Sequence, residues 1–263
     1  MPPAAKRPRS YDHAKVVAAV LAQFSHVRAT VGRLTPEQLA LPTRLGEWTV
    51  RELCAHIAMV AQLAAESLER PEPRTRDLAL LDWPFATSAA ASAVDEDTRS
   101  FAGLGEADEL CARTAERIGA LLPGSPADRL VPMRFGGMRF GDYLVTRTVE
   151  LVVHTDDLAA ATGLEIPYDR QALAACTRLL ADALAVKAPG GSTEVRIPPF
   201  AVVQCIEGPR HTRGTPPNTV ETDPLTWVRL ATGRAAWREE RDAARVRVRG
   251  ERADLGPLLP LLG

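Results

Sequence analysis

The feature that constrains this chain most is the helical spacing of apolar residues in its first 165 positions. Between residues 11 and 34, apolar side chains recur every three or four positions, which predicts an amphipathic helix with one apolar and one polar face. A second helix is predicted from Val50 to about Leu68, because Thr49 can cap its first turn and Glu52 can return the hydrogen bond. Such helices are stable when their apolar faces pack against one another.

Two further segments complete a predicted bundle. One helix is expected from Glu106 to Leu122, where Pro123 and Gly124 end it. The other is expected from about Asp142 to Thr162, where Gly163 can form a C-terminal cap. Four long helices of this kind predict a four-helix bundle.

The connections inside this bundle are less regular. Residues 133–140 predict a tight β-hairpin that turns over Gly136-Gly137. Residues 70–103 contain Pro71 and Pro73 and show no clean apolar stripe. The sequence therefore assigns no structure to this last segment.

The pattern changes after residues 163–167, and we place a domain boundary there, between an N-terminal domain of 1–165 and a C-terminal domain of 166–263. A helix from Arg170 to Lys187 precedes several short β-like runs. Asp223-Pro224 opens a further helix, because aspartate is a good cap and proline suits a first turn. The second half is therefore predicted to be a small α+β domain. Its other predicted elements are strands at 194–197, 201–207, 219–222 and 245–249 and a short helix at 255–262.

Composition limits the expected partners. The 263 residues include 32 basic and 33 acidic side chains, interspersed along the chain, for a formal net charge of −1. No global field favours nucleic acid or an anionic membrane, so neither is a predicted partner. No stretch is apolar enough for a signal peptide or a membrane span, which makes the cytoplasm the expected location. The four scattered cysteines predict reduced, mostly buried thiols.

Three residues suggest a metal site. Glu150 and His154 are four positions apart on the fourth predicted helix, so both project from one face. His56 belongs to the apolar stripe of the second helix and should face the bundle interior, towards that pair. Two imidazoles and a carboxylate suit Zn²⁺, and three protein ligands leave a position open for water or substrate.

Other interpretations of these residues remain open. A Glu/His pair at this spacing is commonly a solvated or salt-bridged face, and a histidine among apolar neighbours is commonly a hydrogen-bonded core residue. Asp157 follows His154 by three positions and can orient its imidazole, although capping or pairing with Arg147 is equally compatible with the sequence.

Two motifs carry a family resemblance. Residues 48–57 (WTVRELCAHI) and 147–158 (RTVELVVHTDDL), with Gly163 shortly after, resemble the mycothiol-dependent maleylpyruvate isomerase family, a branch of the DinB-like metal proteins. The resemblance spans about residues 15 to 165 and implies a DinB-like four-helix bundle. It also implies that the residues at the matching positions are zinc ligands, namely His56, Glu150 and His154.

The second half resembles a different family, the bacterial sterol-carrier-like domain. The resemblance rests on residues 198–205, 207–218 and 221–234 and extends through 245–262. It implies a small α+β fold with a cleft for an apolar or thiol ligand, and it implies no catalytic residue.

Together the resemblances imply a zinc-dependent, or otherwise divalent-metal-dependent, enzyme that uses a thiol. Mycothiol is the implied co-substrate, and metal coordination would stabilise its thiolate. The reaction would be thiol transfer to, or thiol-assisted isomerisation of, a small electrophilic substrate.

Several basic residues are candidates for binding the substrate or the thiol. Arg210, His211 and Arg213 lie in polar Gly/Pro-rich sequence and can hold a carboxylate, or can be surface residues that pair with nearby glutamates. Arg234 is the predicted catalytic residue, because an arginine follows the equivalent helix in the isomerase-like relatives.

Two rival functions remain open at this point. The chain can instead be a non-catalytic sterol-carrier-like protein that binds an apolar small molecule, with the metal-binding bundle as a scaffold. It can also be a scaffold for another protein, although burying two histidines and a glutamate serves little purpose there. The sequence gives no indication of the oligomeric state.

Overall fold

Long helices dominate the first half of the computed structural model, which describes residues 9–208 and 216–262 apart from the side chain of Ser88. Short 3-10 turns also occur at Thr87–Ala90 and Gly256–Leu258. In chain order the elements are α1 (His13–Val31), α2 (Pro36–Leu39), α3 (Val50–Glu69), α4 (Trp83–Ala86), α5 (Ala91–Ala102), α6 (Ala107–Leu121), β1 (Leu130–Met133), β2 (Gly136–Arg139), α7 (Phe140–Thr162), α8 (Arg170–Lys187), β3 (Thr193–Ile197), β4 (Ala201–Cys205), β5 (Thr219–Thr222), α9 (Pro224–Ala231), α10 (Trp237–Asp242) and β6 (Val246–Arg249).

The predicted four-helix bundle is confirmed, with α1, α3, α6 and α7 as its members. Helices α1 and α3 each pack against both α6 and α7. Fully buried side chains fill the centre, among them Phe24, Leu53, Ile57, Leu110 and Leu144. Burial of this apolar surface stabilises the bundle and fixes which face of each helix points inward.

Local capping sets the ends of the two helices that carry the predicted ligands. At the start of α3 the backbone N–H of Thr49 donates to Oε2 of Glu52 at 2.9 Å, which forms the predicted capping box. At the end of α7, Gly163 is left-handed with φ of 70° and donates its N–H to the carbonyl of Ala159 at 2.9 Å. Both boundaries were predictable because the cap residues lie next to them in sequence.

The hairpin forms, but its predicted turn is wrong. Met133 pairs with Gly136, so the turn consists of Arg134 and Phe135, and Gly136-Gly137 begins the second strand. A Cβ on Gly137 would lie 2.2 Å from the backbone oxygen of Thr75. The glycine thus serves the close approach of a neighbouring segment instead of the turn.

The segment that the sequence left unassigned contributes part of the bundle. Its helix α5 packs against α3, and Thr98 on α5 is completely buried. The apolar stripe of α5 is short, since most of its residues remain accessible to solvent. Its position therefore depends on packing against α3 more than on its own periodicity.

The predicted α+β character of the second half is confirmed. Its sheet has the order β4-β3-β5-β6, with β3 parallel to β5 and the other neighbours antiparallel. Helix α8 packs on β4 and α9 and also against α1 and α7, so it joins this half to the bundle.

Two small elements of this half differ from the prediction. Helix α10 was not predicted, and the helix expected at 255–262 is only the 3-10 turn at Gly256–Leu258. Pro257 and Pro260 lack backbone N–H groups, which explains why a longer helix does not form.

All four cysteines lie in the described part of the chain, where they are buried and free of disulfide bonds, as expected. Within the same part of the chain, no helix is long and apolar enough to cross a membrane.

A buried glutamine links the bundle to the second half. Nε2 of Gln23 on α1 donates to Oγ1 of Thr155 at 3.0 Å and to the carbonyl of Pro167 at 3.2 Å. Its Oε1 accepts the N–H of Asp169, which precedes α8, at 2.7 Å. The side chain has no solvent exposure, so water cannot replace these partners in the folded protein.

We therefore expect Gln23→Met to lower the free energy of unfolding by about 2 kcal/mol, because it leaves buried polar groups without partners. Urea denaturation of the wild type and the variant measures the change. Gln171→Met, at an exposed position on α8, is the matched control and should change stability little. Equal effects of the two substitutions would contradict this role for Gln23.

Candidate metal centre

The structure brings the three predicted ligands together. His56 projects from α3, and Glu150 and His154 project from α7. One ligand atom from each lies within 4.8 Å of the others. Nε2 of His56 is 3.7 Å and Nε2 of His154 is 3.2 Å from Oε2 of Glu150. The two histidines are buried, while the glutamate is partly exposed.

Helix α5 and the loop before α3 hold the ring of His56. Its Nδ1 lies 3.1 Å from Oγ1 of Thr98, and the tautomer that is protonated on Nδ1 donates to that hydroxyl. The indole of Trp48 lies against the ring with centroids 5.0 Å apart, and its Nε1 donates to Asp95 at 2.6 Å. This arrangement directs Nε2, the other ring nitrogen, towards Glu150.

A buried carboxylate holds the ring of His154. Its Nδ1 lies 2.8 Å from Oδ2 of Asp157, so Asp157 contacts the imidazole rather than Arg147. Asp157 also accepts hydrogen bonds from Arg44 at 2.5 Å and from Arg234 at 3.0 and 3.2 Å. The carboxylate has no solvent exposure, and the two guanidinium groups compensate its charge.

The electrostatics of the three groups differ. Burial opposes the ionisation of Glu150, but the hydrogen bond from His154, the nearby ring of His56 and the charge of Arg147 outweigh it and hold the pKa of this carboxyl well below its usual value. Burial also opposes the charged form of His154, yet Asp157 and Glu150 raise its pKa. For His56, burial prevails and lowers the pKa. The cluster therefore keeps Glu150 ionised and makes His154 the more readily protonated of the two histidines.

The donor set fits a divalent metal ion. Each imidazole has an acceptor for its Nδ1 and presents Nε2 to the shared space, which is the arrangement that metal-binding histidines commonly show. Two imidazole nitrogens and a carboxylate oxygen match zinc preferences and leave coordination positions for other ligands.

The triad opens onto a cavity of about 1070 Å³. Its walls are mainly apolar and come from α3, α5, α7, the hairpin and the segment between α3 and α5. Thr232, Arg234 and Leu262 add a contribution from the second half. Apolar residues of the wall include Met59, Val60, Leu63, Trp83, Val94, Met133, Phe135 and Val153.

The other predicted site residues fall into two groups. Arg234 lines this cavity, and its guanidinium is bonded to Asp157 and to the carbonyl of Thr232. The predicted binding residues Arg210, His211 and Arg213 lie outside the described residues.

Sequence reasoning missed Thr98 and Arg44. Thr98 belongs to the segment that had no clear apolar stripe, and Arg44 lies in a loop far from α7 in sequence. No local pattern connects either residue to a histidine, so only the packing of their segments identifies them.

We expect Thr98→Val to weaken zinc binding by about tenfold, because the isosteric side chain cannot accept a proton from Nδ1 of His56. Competition against a chromophoric zinc chelator measures the affinity. Thr177→Val is the matched control, since Thr177 is buried on α8 and its Oγ1 has no hydrogen-bond partner among the described residues. A loss of affinity that Thr177→Val reproduces would point to general destabilisation instead.

Metal affinity should also depend on pH. Zinc requires the neutral form of His154, and the pKa of that group is raised above its usual value of 6.5. The affinity is therefore expected to fall as the pH is lowered through the raised pKa and to level off above it. Chelator competition across a pH series measures this profile.

The Asp157→Asn variant provides the control for the pH profile. Asp157 helps to raise the pKa of His154, so its neutralisation should move the loss of zinc affinity to lower pH. An unshifted profile would mean that another group controls the pH dependence.

Comparisons with known proteins agree with this architecture. The crystal structure of the mycothiol-dependent maleylpyruvate isomerase aligns with a TM-score of 0.59 at 16% identity, over 90% of this chain and 93% of that one. A histidine-to-alanine mutant of that isomerase aligns with a TM-score of 0.59 at 13% identity and the same coverage. At these identities the likeness shows the fold. Among the curated proteins, none matches.

Models of protein families match both halves, which confirms the two resemblances predicted from the motifs. Residues 169–261 match the model described as a bacterial SCP ortholog. Residues 20–159, more than half of the 263 residues, match the mycothiol maleylpyruvate isomerase N-terminal domain. The chain therefore belongs to the mycothiol maleylpyruvate isomerase N-terminal domain family and carries a bacterial SCP-like domain after it.

Proposed function

We propose that this chain is a metal-dependent enzyme that uses mycothiol to isomerise, or to transfer the thiol to, a small electrophilic substrate in the cytoplasm. The observation that carries the proposal is the convergence of the ligand atoms of His56, Glu150 and His154 within 4.8 Å at the wall of a large cavity. The family of the chain and its structural likeness to a mycothiol-dependent maleylpyruvate isomerase support the choice of thiol and reaction.

The three residues would hold Zn²⁺ or another divalent ion. Such an ion would lower the pKa of a thiol bound to it and would thereby supply the thiolate nucleophile at neutral pH. The glutamate provides negative charge to the site, since its pKa lies well below the usual value.

The neighbouring residues keep this site in one geometry. Thr98 and Asp157 hold the Nδ1 atoms of the two imidazoles, which keeps each Nε2 directed at the shared space. Trp48 restricts rotation of the His56 ring from one side. A site held in this way loses little free energy to reorganisation when ligands bind.

The cavity suits a reaction between two small molecules. Its volume of about 1070 Å³ is slightly above the range for a single ligand site, roughly 300–1,000 Å³. There is thus room for a thiol and an acceptor side by side. The apolar wall limits the number of water molecules that can compete with the thiol for the electrophile.

Arg234 stays the predicted catalytic residue, and its contacts add a positioning role. Its two hydrogen bonds to Asp157 help to hold the carboxylate that orients His154. Binding of a carboxylate by Arg210, His211 or Arg213 also stays a prediction. For the domains, we propose 1–165 and 166–263, a division that agrees with family matches ending at 159 and starting at 169.

The test combines elemental analysis with a thiol titration. Purified protein should contain about one zinc or other divalent ion per chain, and His56→Ala and Glu150→Ala should each lose it. Calorimetric titration of the metal-loaded protein with mycothiol in two buffers of different ionisation enthalpy should reveal release of about one proton per thiol bound.

The disulfide of mycothiol is the ligand control, because it has no thiol proton to release. Wild-type protein without stoichiometric metal, or thiol binding without proton release, would contradict the proposal. A protein that lacks metal and copurifies with an apolar molecule would instead match the rival carrier function.

A further inference from the structure

A buried arginine lies beside the metal site, and its nearest carboxylate belongs to the proposed metal ligand Glu150. Arg147 precedes Glu150 by three positions on α7 and lines the same cavity. Only 5% of the residue is exposed. A guanidinium group at such a position remains charged and needs compensating partners.

The protein itself provides Arg147 with few partners. Its Nε and Nη2 donate to the hydroxyl of Thr146 at 3.2 and 3.1 Å. Nη2 is 3.8 Å from Oε1 of Glu150, which is close enough for attraction but too far for a hydrogen bond. Among the described residues, Nη1 has no hydrogen-bond partner. The ring of Tyr143, 4.7 Å away, fixes the plane of the group.

The other arginines of the cavity are paired differently. Arg99 bonds Asp95 at 3.2 Å, and Arg134 bonds Asp97. Arg234 bonds Asp157, and Arg70 lies 3.9 Å from Glu66. Each of these carboxylates is outside the proposed ligand set. Among the described arginines of the cavity, only Arg147 has a proposed metal ligand, Glu150, as its nearest carboxylate.

Metal binding would leave the charge of Arg147 largely unbalanced. Once Glu150 donates its electron density to a cation, its attraction for the guanidinium is weakened. The remaining partners, the hydroxyl of Thr146 and the ring of Tyr143, carry no negative charge and cannot balance a buried positive charge. A carboxylate in the cavity can do so, since its two oxygens match the planar fork of an arginine.

We propose that Arg147 is a specificity-determining residue that binds a carboxylate of the electrophilic substrate, so that the enzyme selects small carboxylates over neutral electrophiles. This inference rests on the proposed function, because only that function makes the bound carboxylate a substrate. Because Nη2 lies 3.8 Å from a candidate metal ligand, a carboxylate bound to Arg147 would lie next to the site at which the metal would hold the thiol.

Calorimetric titration of zinc-loaded protein with maleate and with its neutral diamide tests the inference. Arg147→Met is expected to weaken maleate binding by about tenfold to a hundredfold and to leave diamide binding unchanged, because a charged hydrogen-bonded pair is lost. Arg51→Met, which removes an arginine of α3 that pairs with Glu106 and does not line the cavity, is the matched control and should leave both affinities unchanged. Equal maleate affinity in Arg147→Met and the wild type would overturn the inference.

A second experiment tests the role of Arg147 independently of metal binding. In metal-free protein, Glu150→Gln removes the competing acid and should strengthen maleate binding, and adding Arg147→Met should abolish that gain. Maleate affinity that is the same with and without Arg147 in this background would overturn the role of Arg147. Absence of metal in the wild type would contradict only the proposed function.

The fold of each variant is checked by its thermal unfolding midpoint. If Arg147→Met does not fold, Arg147→Lys replaces it, since lysine keeps the positive charge but lacks the planar pair of N–H donors that binds both oxygens of a carboxylate. Maleate should bind this variant more weakly than it binds the wild type, and equal affinity would overturn the inference.

Discussion

The buried carboxylate of Asp157 is the constraint on which the site depends. It has no solvent exposure and is bonded to His154, Arg44 and Arg234. These partners come from α7, from the loop before α3 and from the chain that follows α9. Because an uncompensated buried charge is costly, docking of the second half, which supplies Arg234, stabilises the ionised carboxylate. The orientation of one proposed metal ligand is thereby coupled to the assembly of the whole chain.

The second half thus has a structural part in a site whose proposed ligands all belong to the bundle. The adjacent Asp156 strengthens the same contact, since it accepts hydrogen bonds from Arg44 at 2.5 Å and from Arg229 at 2.6 Å. Gln23 provides a neutral link nearby, between α1 and the chain before α8. Polar groups at a buried junction of this kind favour one relative placement of the two halves, because other placements leave them unpaired. The second half therefore helps to hold the site in addition to forming its own domain.

Sequence patterns predicted the elements that are defined by nearby residues. The capping box at Thr49 and the left-handed Gly163 mark the ends of α3 and α7, and the apolar stripes place the bundle helices. The turn of the hairpin was misplaced, because Gly137 is needed for the approach of Thr75 and not for the turn. Helix α5 had no clear signal, since its stability comes from packing on α3.

The sequence by itself determined the chemistry available: a Glu/His pair one helical turn apart and a third ligand on another amphipathic helix. Helical periodicity is local, so it predicts which side chains share a face. Only the tertiary structure decided that Thr98 holds the ring of His56, that Arg44 and Arg234 meet at the carboxylate of Asp157, and that Arg147 faces the cavity. Those contacts join residues far apart in the chain, and their partners are selected by burial and charge compensation, which no short sequence pattern encodes.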